Sequence, residues 1–453
     1  MQIQFLGAAQ TVTGSKYLLT FNGKRVLLDC GLFRGMKEWR LRNWEKFHVA
    51  PSQIDAVILT HAHIDHSGYL PVLVKQGFMG KIFCTPATKE LCNILLPDSG
   101  FLQERDTEYA NVHGYSKHHP ALPLYTRADA EHTLTHFISC DFERQYDICG
   151  LNVCFKHVGH ILGAAMVTLR YQDKTLLFSG DVGRMHDEMM YPPINLKKVA
   201  VPDYLFLEST YGNRLHGTDN PTDKLGEIIN RVAARGGTMV IPAFAVGRTQ
   251  NILSYIYHLK EQHKIPDLPV FVDSPMAKDV TDLWAQFPAE HRLSREKCAK
   301  IFCIAKYTNS VEDSKLIDSY NFPKIIISAS GMATGGRVLH HLQFFISDKR
   351  NLILFVGHQE CGTRGDLLIK GASEIKLLGG VMRAAAEIAE LPNVSAHADY
   401  QEILDWLHDF AGAPRQTFIV HGEPQAALAL KSKIEDLYHW HCVVPKYLEQ
   451  VVL

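Results

Sequence analysis

Short apolar runs recur along the first part of the chain, and their spacing predicts strands separated by turns. The clearest pair, LLTF and RVLLDCG, flanks Asn22 and Gly23, a two-residue connection of the kind that closes a tight hairpin. Further runs of buried-strand type are IDAVILTH, KIFCTP, LNVCFKHV, AAMVTLRYQ and KTLLFSGDV. The stretch 87–147 has a mostly helical pattern with irregular breaks. Runs of strands with helices between them predict a layered α/β fold.

The rhythm changes from Tyr204 onwards. The segments YLFLES, TMVIPAFAV, LPVFVDSP, KIIISAS and NLILFVG read as buried strands, and helical stretches such as TDKLGEIINRVAARGG lie between most of them. This alternation predicts an open parallel sheet in a second domain. The last part of the chain adds a helix after SAHAD, the strand TFIVHGE and a helix from Gln425 to Trp440.

Composition narrows the class of protein. The 453 residues correspond to about three domains, and 46% hydrophobic with 21% charged residues is typical of globular proteins rather than disordered ones. With 47 Lys and Arg against 48 Asp and Glu, a nucleic-acid partner must be held by a local patch. The sequence shows no C-x-x-C pair, no signal peptide and no apolar run near the roughly 18 residues of a membrane span. We therefore expect a cytoplasmic protein with free thiols and no membrane partner.

The strongest chemical signal is the segment His61-Ala-His63-Ile-Asp65-His66, which directly follows the strand AVILT. Residues two apart on an extended segment project to the same side, so His61 and His63 can hold one ion. The following turn brings Asp65 and His66 round to a second ion. This spacing predicts a two-metal site.

In each of three later segments, a polar residue stands at the end of a predicted apolar strand. They are His160 in HVGHILGAA, Asp181 in LLFSGDVG and His421 in TFIVHGE. A carboxylate such as Asp181 can bridge two cations, and the adjacent glycines let the backbone come close to them. Asp29 in LLDCG also ends a strand, and it either orients ligands or caps a turn.

The segments HAHIDH, GHILGAA, SGDVG and VHGE resemble, in order, the metal motifs of the metallo-β-lactamase superfamily. The resemblance implies an αββα sandwich that binds two Zn²⁺, although Mn²⁺ or Fe suits the same ligands. It implies the following ligand sets: His61, His63 and His160 for one ion; Asp65, His66 and His421 for the other; Asp181 as the bridge. The substrate stays open, because members of this superfamily cleave lactams, thioesters and phosphodiesters.

The second half of the chain resembles the β-CASP domain of RNA-processing nucleases. The segments that carry the resemblance are LFLESTYGNR, PAFAVGRTQ, DSPMA, SASGMATGGR, GHQECGTRG and SAHAD. In the pattern of that family, Glu208 is motif A, His397 is motif B and His421 is motif C, and a histidine at motif C is typical of RNA-directed members. Asp366 stands where many relatives have arginine.

The family resemblance also implies a domain order. We expect the metallo-β-lactamase domain at 1–207 and 389–453, with the β-CASP domain, a parallel sheet flanked by helices, inserted at 208–388. We see no RNA-binding domain before the catalytic region and no room for the extra C-terminal domain of ribonuclease J relatives. Internal cutting is therefore favoured over processive exonuclease action.

We accordingly expect a ribonuclease that cuts single-stranded RNA internally and leaves 3′-hydroxyl and 5′-phosphate ends. Asp65, Glu208 and His397 are the expected catalytic residues, with His397, oriented by Glu208, protonating the leaving ribose oxygen. Substrate contacts are expected from loops of the second domain, at Arg248, Ser330, Gly331, Gly335 and Thr363. A homodimer is left open.

Two alternatives stay open on the sequence alone. One is a metallo-hydrolase of a small thioester or lactam, in which the second domain only narrows the pocket. The other is an RNA-binding subunit with an inactive site, against which the intact ligand motifs argue.

Overall fold

The chain forms two compact units. The computed structural model describes residues 1–114, 116–308, 310–357 and 359–453. The first unit comprises residues 1–215 and 397–453, and the second unit comprises residues 216–396. Within the described residues, no helix combines the length and the apolar character that crossing a bilayer requires.

The amino-terminal part of the first unit supplies most of its secondary structure. Its strands are β1 (Gln2–Phe5), β2 (Tyr17–Phe21), β3 (Lys24–Leu28), β4 (Ala56–Ile58), β5 (Lys81–Cys84), β6 (Phe137–Ser139), β7 (Gln145–Ile148), β8 (Leu151–His157), β9 (Ala165–Tyr171), β10 (Lys174–Phe178) and β11 (Tyr204–Glu208). Its helices are α1 (Lys37–Arg42), α2 (Ile64–Ser67), α3 (Leu70–Lys75), α4 (Pro86–His113) and α5 (Arg127–Leu134).

The second unit alternates strands and helices. Its strands are β12 (Thr238–Pro242), β13 (Val270–Asp273), β14 (Ala305–Tyr307), β15 (Lys324–Ser328), β16 (Leu352–Val356), β17 (Glu374–Leu377), β18 (Gly380–Arg383) and β19 (Glu387–Leu391). Its helices are α6 (Pro221–Ala234), α7 (Arg248–Glu261), α8 (Pro275–Trp284), α9 (Arg295–Phe302), α10 (Val311–Ser319), α11 (Val338–Phe345) and α12 (Arg364–Ile369).

The chain then returns to the first unit. The closing elements are α13 (Tyr400–Leu407), β20 (Gln416–Val420), α14 (Pro424–Tyr438), β21 (Cys442–Val443) and β22 (Gln450–Val452). The first unit thereby builds two sheets, with strand orders β22-β1-β2-β3-β4-β5-β6 and β21-β20-β11-β10-β9-β8-β7. In the second sheet, β8 and β10 both run antiparallel to β9, while β10, β11 and β20 are parallel. The carboxyl ends of β8, β10, β11 and β20 therefore lie at one edge.

Aromatic side chains fill the core between the two sheets. The rings of Phe178 and Phe206 stack with centroids 4.1 Å apart, and Phe206 stacks on Phe418 at 4.9 Å. Phe5, from the opposite sheet, lies 5.4 Å from Phe418. All four are essentially buried, so the sheets are joined by close apolar packing that holds their edges in a fixed position.

The second unit has the predicted parallel sheet. Its strand order is β14-β13-β15-β12-β16-β19, and every pairing in it is parallel. The short antiparallel pair β17-β18 stands beside it. His358, within the predicted GHQECGTRG segment, lies outside the described residues. The expected architecture is observed: a unit with two sheets is interrupted along the chain by a second unit that contains a parallel sheet.

The local prediction of the hairpin is confirmed, and the structure adds two edge strands that the sequence did not predict. Asn22 and Gly23 have φ angles of 43° and 71° and join β2 to β3 as expected. The stretch 87–147, expected to be mostly helical with irregular breaks, contains α4 and α5, but its last part forms the strands β6 and β7. Both strands are short and lie at sheet edges, where solvent exposure removes the apolar pattern by which strands are recognised.

Candidate metal centre

Four segments that follow strands bring the candidate ligands to one place in the first unit. His61 follows β4, and His160, Asp181 and His421 follow β8, β10 and β20. The carboxyl ends of the last three strands lie at the same edge of the sheet. The side chains of His160, Asp181 and His421 therefore meet, although these residues are far apart in sequence. Each of these four residues is buried.

His61, His63 and His160 form the first group, together with one oxygen of Asp181. The Nδ1 atom of His63 lies 3.1 Å from Nε2 of His61 and 3.1 Å from Nε2 of His160. Asp181 Oδ2 lies 3.3 Å from His61 Nε2 and 3.5 Å from His160 Nε2. Four potential ligand atoms therefore converge on one point.

Asp65, His66 and His421 form the second group. The Nε2 atoms of His66 and His421 are 3.1 Å apart, and Asp65 Oδ2 lies 3.6 Å from His421 Nε2. The second oxygen of Asp181, Oδ1, lies 3.3 Å from His66 Nε2 and 3.5 Å from His421 Nδ1. One carboxylate thus faces both groups, each with a different oxygen.

The donor set fits a pair of divalent cations such as zinc. Zinc bonded tetrahedrally to nitrogen at about 2.0–2.1 Å places neighbouring ligand nitrogens about 3.3 Å apart, close to the spacing of these imidazoles. Asp181 Oδ1 is buried and has no hydrogen-bond partner among the described residues. Ring nitrogens that face one another, and a carboxylate oxygen that accepts no proton, are both satisfied by a shared cation.

The histidines of the first group are held in the form that binds metal. Burial, followed by the proximity of the other imidazoles, lowers the pKa of His63 to about 3 and also lowers the pKa values of His61 and His160. All three rings are therefore neutral at pH 7. A neutral imidazole offers the lone pair that a metal ion requires.

His66 has the opposite electrostatic setting. Burial alone would lower its pKa, but the carboxylates of Asp181 and Asp29 outweigh burial and raise the pKa well above its usual value. Asp29 Oδ2 lies 2.7 Å from His66 Nδ1. That contact occupies Nδ1 of His66 and leaves its Nε2 directed at the second group. Asp29 therefore lies where a residue that orients a metal ligand would lie.

Two threonines that the sequence did not single out contact ligand residues in the same way. Thr60 Oγ1 lies 3.1 Å from His61 Nδ1, and its backbone N–H donates to Asp29 Oδ1 at 2.8 Å. Thr210 Oγ1 lies 3.1 Å from His421 Nδ1. Each hydroxyl fixes the ring whose other nitrogen faces the ligand group. The only signal in the sequence is that Thr60 immediately precedes His61.

Glu208 and His397 form a pair beside the first group. Glu208 is fully buried, and its Oε1 lies 2.9 Å from His397 Nδ1. The backbone N–H groups of Val182 and Thr210 donate to the two oxygens of Glu208 at 2.8 and 3.0 Å. His397 Nε2 then points towards Asp181 Oδ2, at 4.0 Å. Burial opposes protonation, but Glu208 and Asp181 raise the pKa of His397.

The backbone holds His397 in this position. His397 forms an isolated antiparallel bridge with Gly183, and the N–H of Ala398 donates to the carbonyl of Val182 at 2.8 Å. Asp399 then caps α13 by accepting from the N–H groups of Gln401 and Glu402. The segment after His397 is thus fixed to the loop that carries Asp181.

The expected substrate-contact residues all lie in the second unit, at the carboxyl ends of its parallel strands. Arg248 is 9% exposed and donates to the carbonyl of Val394. Thr363 is 4% exposed, and its hydroxyl caps α12. Ser330 Oγ accepts from the N–H of Thr334 at 3.1 Å. These side chains have partners within their own unit.

The two glycines of this set differ in their surroundings. Gly331 is enclosed, because a Cβ atom there would lie 2.9 Å from the ring of Phe244, whereas Gly335 has open space around it. Gly331 also has its carbonyl contacted by Gln359 Nε2 at 3.3 Å. The contact of these five residues with substrate stays a prediction.

Comparisons with known families cover most of the chain. Residues 11–150 match the metallo-β-lactamase superfamily, and residues 249–368 match the β-CASP domain. Residues 381–445 match a zinc-dependent metallo-hydrolase RNA specificity domain. The matched regions include His61, His63, Asp65, His66 and His421, whereas His160 and Asp181 lie between two of the matched regions.

Several curated relatives are similar over nearly the whole chain. Ribonuclease TTHA0252 of Thermus thermophilus is 36% identical over 95% of this chain and 95% of its own length. The transcription termination factor FttA of Methanosarcina mazei is 30% identical over 96% of this chain and 69% of its own length. The cleavage and polyadenylation specificity factor 73 of Drosophila melanogaster is 26% identical over 97% and 62%, respectively.

A solved structure also has a similar fold. The crystal structure of a protein of unknown function from Enterococcus faecalis V583 aligns over 100% of this chain and 99% of that chain, with a TM-score of 0.54. Because the two sequences are only 15% identical, the likeness concerns the fold alone.

Proposed function

Because this chain belongs to the β-CASP family of metallo-β-lactamase-fold RNA nucleases and is a zinc-dependent ribonuclease, we propose that it cuts single-stranded RNA internally. The products would carry 3′-hydroxyl and 5′-phosphate ends. The observation that carries the proposal is the convergence of seven ligand side chains in two groups with the Glu208–His397 pair beside them.

The family, the fold class and the RNA-directed hydrolase class predicted from the sequence are confirmed. The small-thioester or lactam hydrolase and the inactive RNA-binding subunit are correspondingly disfavoured. Zinc dependence is supported, and we propose that two ions bind. Cytoplasmic location, a homodimer, and the domain bounds 1–207, 208–388 and 389–453 stay proposals.

We assign the seven side chains to the ions as follows: His61, His63 and His160 to one, Asp65, His66 and His421 to the other, and Asp181 to both. When bound, zinc in such a centre polarises a phosphoryl oxygen and makes water more acidic. Asp65, the partly exposed carboxylate of the centre, would hold the attacking water.

His397 is assigned the role of general acid. Glu208 accepts the Nδ1–H of its ring, which fixes the tautomer and favours the imidazolium form. Nε2–H therefore points towards the ligand groups, where it would protonate the leaving 3′ oxygen of ribose. Proton transfer of this kind is typically worth about 10²–10⁴-fold in rate.

A circular single-stranded RNA tests the proposal. The zinc-loaded protein should linearise the circle, because internal cutting needs no free end, and the new ends should be joined directly by a ligase that requires a 5′-phosphate and a 3′-hydroxyl. His397→Ala should lower the rate by about 10²–10⁴-fold while zinc content stays unchanged. His132→Ala, at an exposed histidine of α5, is the matched control.

Two results would contradict parts of this account. An intact circle alongside stepwise shortening of linear RNA would make the protein an exonuclease. Undiminished cleavage by His397→Ala would remove this residue from the chemistry.

A further inference from the structure

A short basic and aromatic segment of the first unit begins five residues after Asp29, beside the candidate metal centre. We call residues 34–48, RGMKEWRLRNWEKFH, the arm. It carries five Lys or Arg (Arg34, Lys37, Arg40, Arg42 and Lys46) against two Glu (Glu38 and Glu45), an excess of three positive charges in a chain whose net charge is −1. The arm is therefore a local positive patch of the kind that nucleic-acid binding requires.

The base of the arm is attached to the segment that carries two candidate ligands. The N–H of Cys30 donates to the carbonyl of His66 at 2.7 Å, and the N–H of Leu32 donates to the carbonyl of Ile64 at 3.0 Å. Gly31 has no room for a side chain, because a Cβ atom there would overlap the carbonyl of Asp65. The arm begins only three residues after this contact.

Two further contacts hold the arm in place. The side chain of Asn43 accepts from the N–H of Phe33 at 2.9 Å and donates to the carbonyl of Phe33 at 2.7 Å. The guanidinium of Arg42 lies over the ring of Tyr447, 4.1 Å from its centroid, and 5.4 Å from the centroid of Phe33. Arg42 is thus used internally, and the arm has a defined position relative to Asp65 and His66.

The outer side chains of the arm are exposed and chemically suited to a nucleic-acid strand. Trp44 is 59% exposed. Lys37, Arg40 and Lys46 are exposed, and within the part of the chain that the structure describes none of them forms an ion pair with a carboxylate. Cations without acidic partners attract phosphates, and an exposed indole offers a face on which a base can stack.

We propose that the arm binds the single-stranded RNA substrate next to the metal centre, with Lys37 and Arg40 contacting phosphates and Trp44 stacking on a base. This inference rests on the proposed function, because the occupant is the RNA that the metal centre cuts. The positive excess favours RNA over an apolar protein partner, which would leave the unpaired cations unsatisfied.

The test compares three substrates: unstructured RNA, a ribose-phosphate oligomer of the same length without bases, and the small diester bis(p-nitrophenyl) phosphate. Trp44→Ala should raise KM for RNA by roughly 5- to 150-fold, the usual range for loss of one stacked base, with kcat unchanged. It should leave KM for the base-free oligomer unchanged, and Trp44→Phe should restore most of the RNA affinity.

The cations are tested through salt dependence. Each phosphate contact to a single strand contributes about 0.7 to the slope of log affinity against log salt concentration, so Lys37→Gln with Arg40→Gln should reduce the slope for RNA by about 1.4. The reduction should persist with the base-free oligomer. Phe101→Ala and the pair Lys81→Gln with Lys117→Gln are matched controls at exposed positions outside the arm.

The outcomes separate this inference from the proposed function. Wild-type kinetics of Trp44→Ala and the lysine–arginine variant on RNA would overturn the role of the arm while leaving the nuclease intact. Equal losses on RNA and on the small diester would also overturn it, because they indicate damage to the metal centre. Failure of the wild-type protein to cut any RNA would instead refute the proposed function.

Discussion

Each unit of the protein buries a cluster of histidine and carboxylate side chains. The two clusters differ in the hydrogen-bond partners that their polar atoms have. In the first unit, imidazole nitrogens face one another at 3.1 Å and Asp181 Oδ1 has no hydrogen-bond partner among the described residues. In the second unit, donors surround Asp273. Arg337 and His341 contact its two oxygens at 2.6 and 2.8 Å, and Ser314 donates at 2.5 Å.

The second cluster is complete without a ligand. Thr308 also donates to Asp273, and the other ring nitrogen of His341 lies 2.6 Å from Asp318 Oδ1. Burial opposes ionisation of both groups, but these contacts lower the pKa of Asp273 and raise that of His341. Buried histidine and carboxylate side chains therefore indicate a metal site only where hydrogen bonds within the protein leave some of their polar atoms unsatisfied. The second cluster is a structural ion-pair network.

The largest difference between the clusters should appear when one side chain is removed from the first. His63→Ala removes a nitrogen that faces two others, so zinc content should fall and RNA cleavage should drop by about 10³–10⁴-fold, equivalent to several kcal/mol of electrostatic stabilisation. Metal analysis and initial cleavage rates measure the two effects. Full activity of His63→Ala would show that the first cluster is not a metal centre.

Asp273→Asn should have the converse effect. Removing one partner of a buried ion pair costs about 3–5 kcal/mol, because Arg337 and His341 keep their charges without the carboxylate. Hydrogen exchange of peptides from β13 and α11 should become faster, while the zinc content of the protein stays unchanged. Loss of zinc with unchanged exchange would contradict the division between a metal centre and a structural network.

Asp29→Asn is a milder change to the first cluster. The amide can still contact His66 Nδ1 but carries no negative charge, so zinc affinity should fall by about 10–100-fold, as is usual for residues that orient a metal ligand. Competition with a chelator of known affinity measures this change. Unaltered zinc affinity would show that Asp29 only caps a turn.

The smallest effect concerns pH. Because the folded pKa of Asp273 is lowered, its contribution is present above the unfolded value near pH 4 and is lost as the pH falls below it. Because the folded pKa of His341 is raised, its contribution is present below about pH 6.5 and is lost as the pH rises. The stability difference between the wild type and Asp273→Asn should therefore shrink by about 1–2 kcal/mol as the pH falls from about 4 towards 2. A constant difference would contradict these shifts.

The sequence predicted the first cluster but not the second. The ligands in the first unit follow strands, and their spacing at His61 and His63 carries a strong signal. Asp273 begins the DSPMA segment, but Asp318 and His341 belong to no motif and are far from it in the chain. Only the packing of α10 and α11 on the sheet therefore reveals their contact.

The direction in which a side chain points was the second feature that could not be predicted from the sequence. The contact of Arg248 with substrate stays a prediction. The sequence did not show that its guanidinium is buried against Gly357, where a side chain would overlap it, and donates to Val394. Thr60 and Thr210 orient ligand histidines through contacts that depend on the final fold. The edge strands β6 and β7 were missed because too few of their side chains are buried to show the alternation of apolar and polar residues.

X-ray diffraction recorded on either side of the zinc absorption edge tests the central claim most directly. We predict two anomalous peaks, about 3.5–4 Å apart as in other two-metal sites, one within the His61, His63 and His160 group and one within the Asp65, His66 and His421 group. No peak should appear beside Asp273. A crystal of the zinc-loaded protein with no peak in the first cluster, or with a peak at Asp273, would contradict the account.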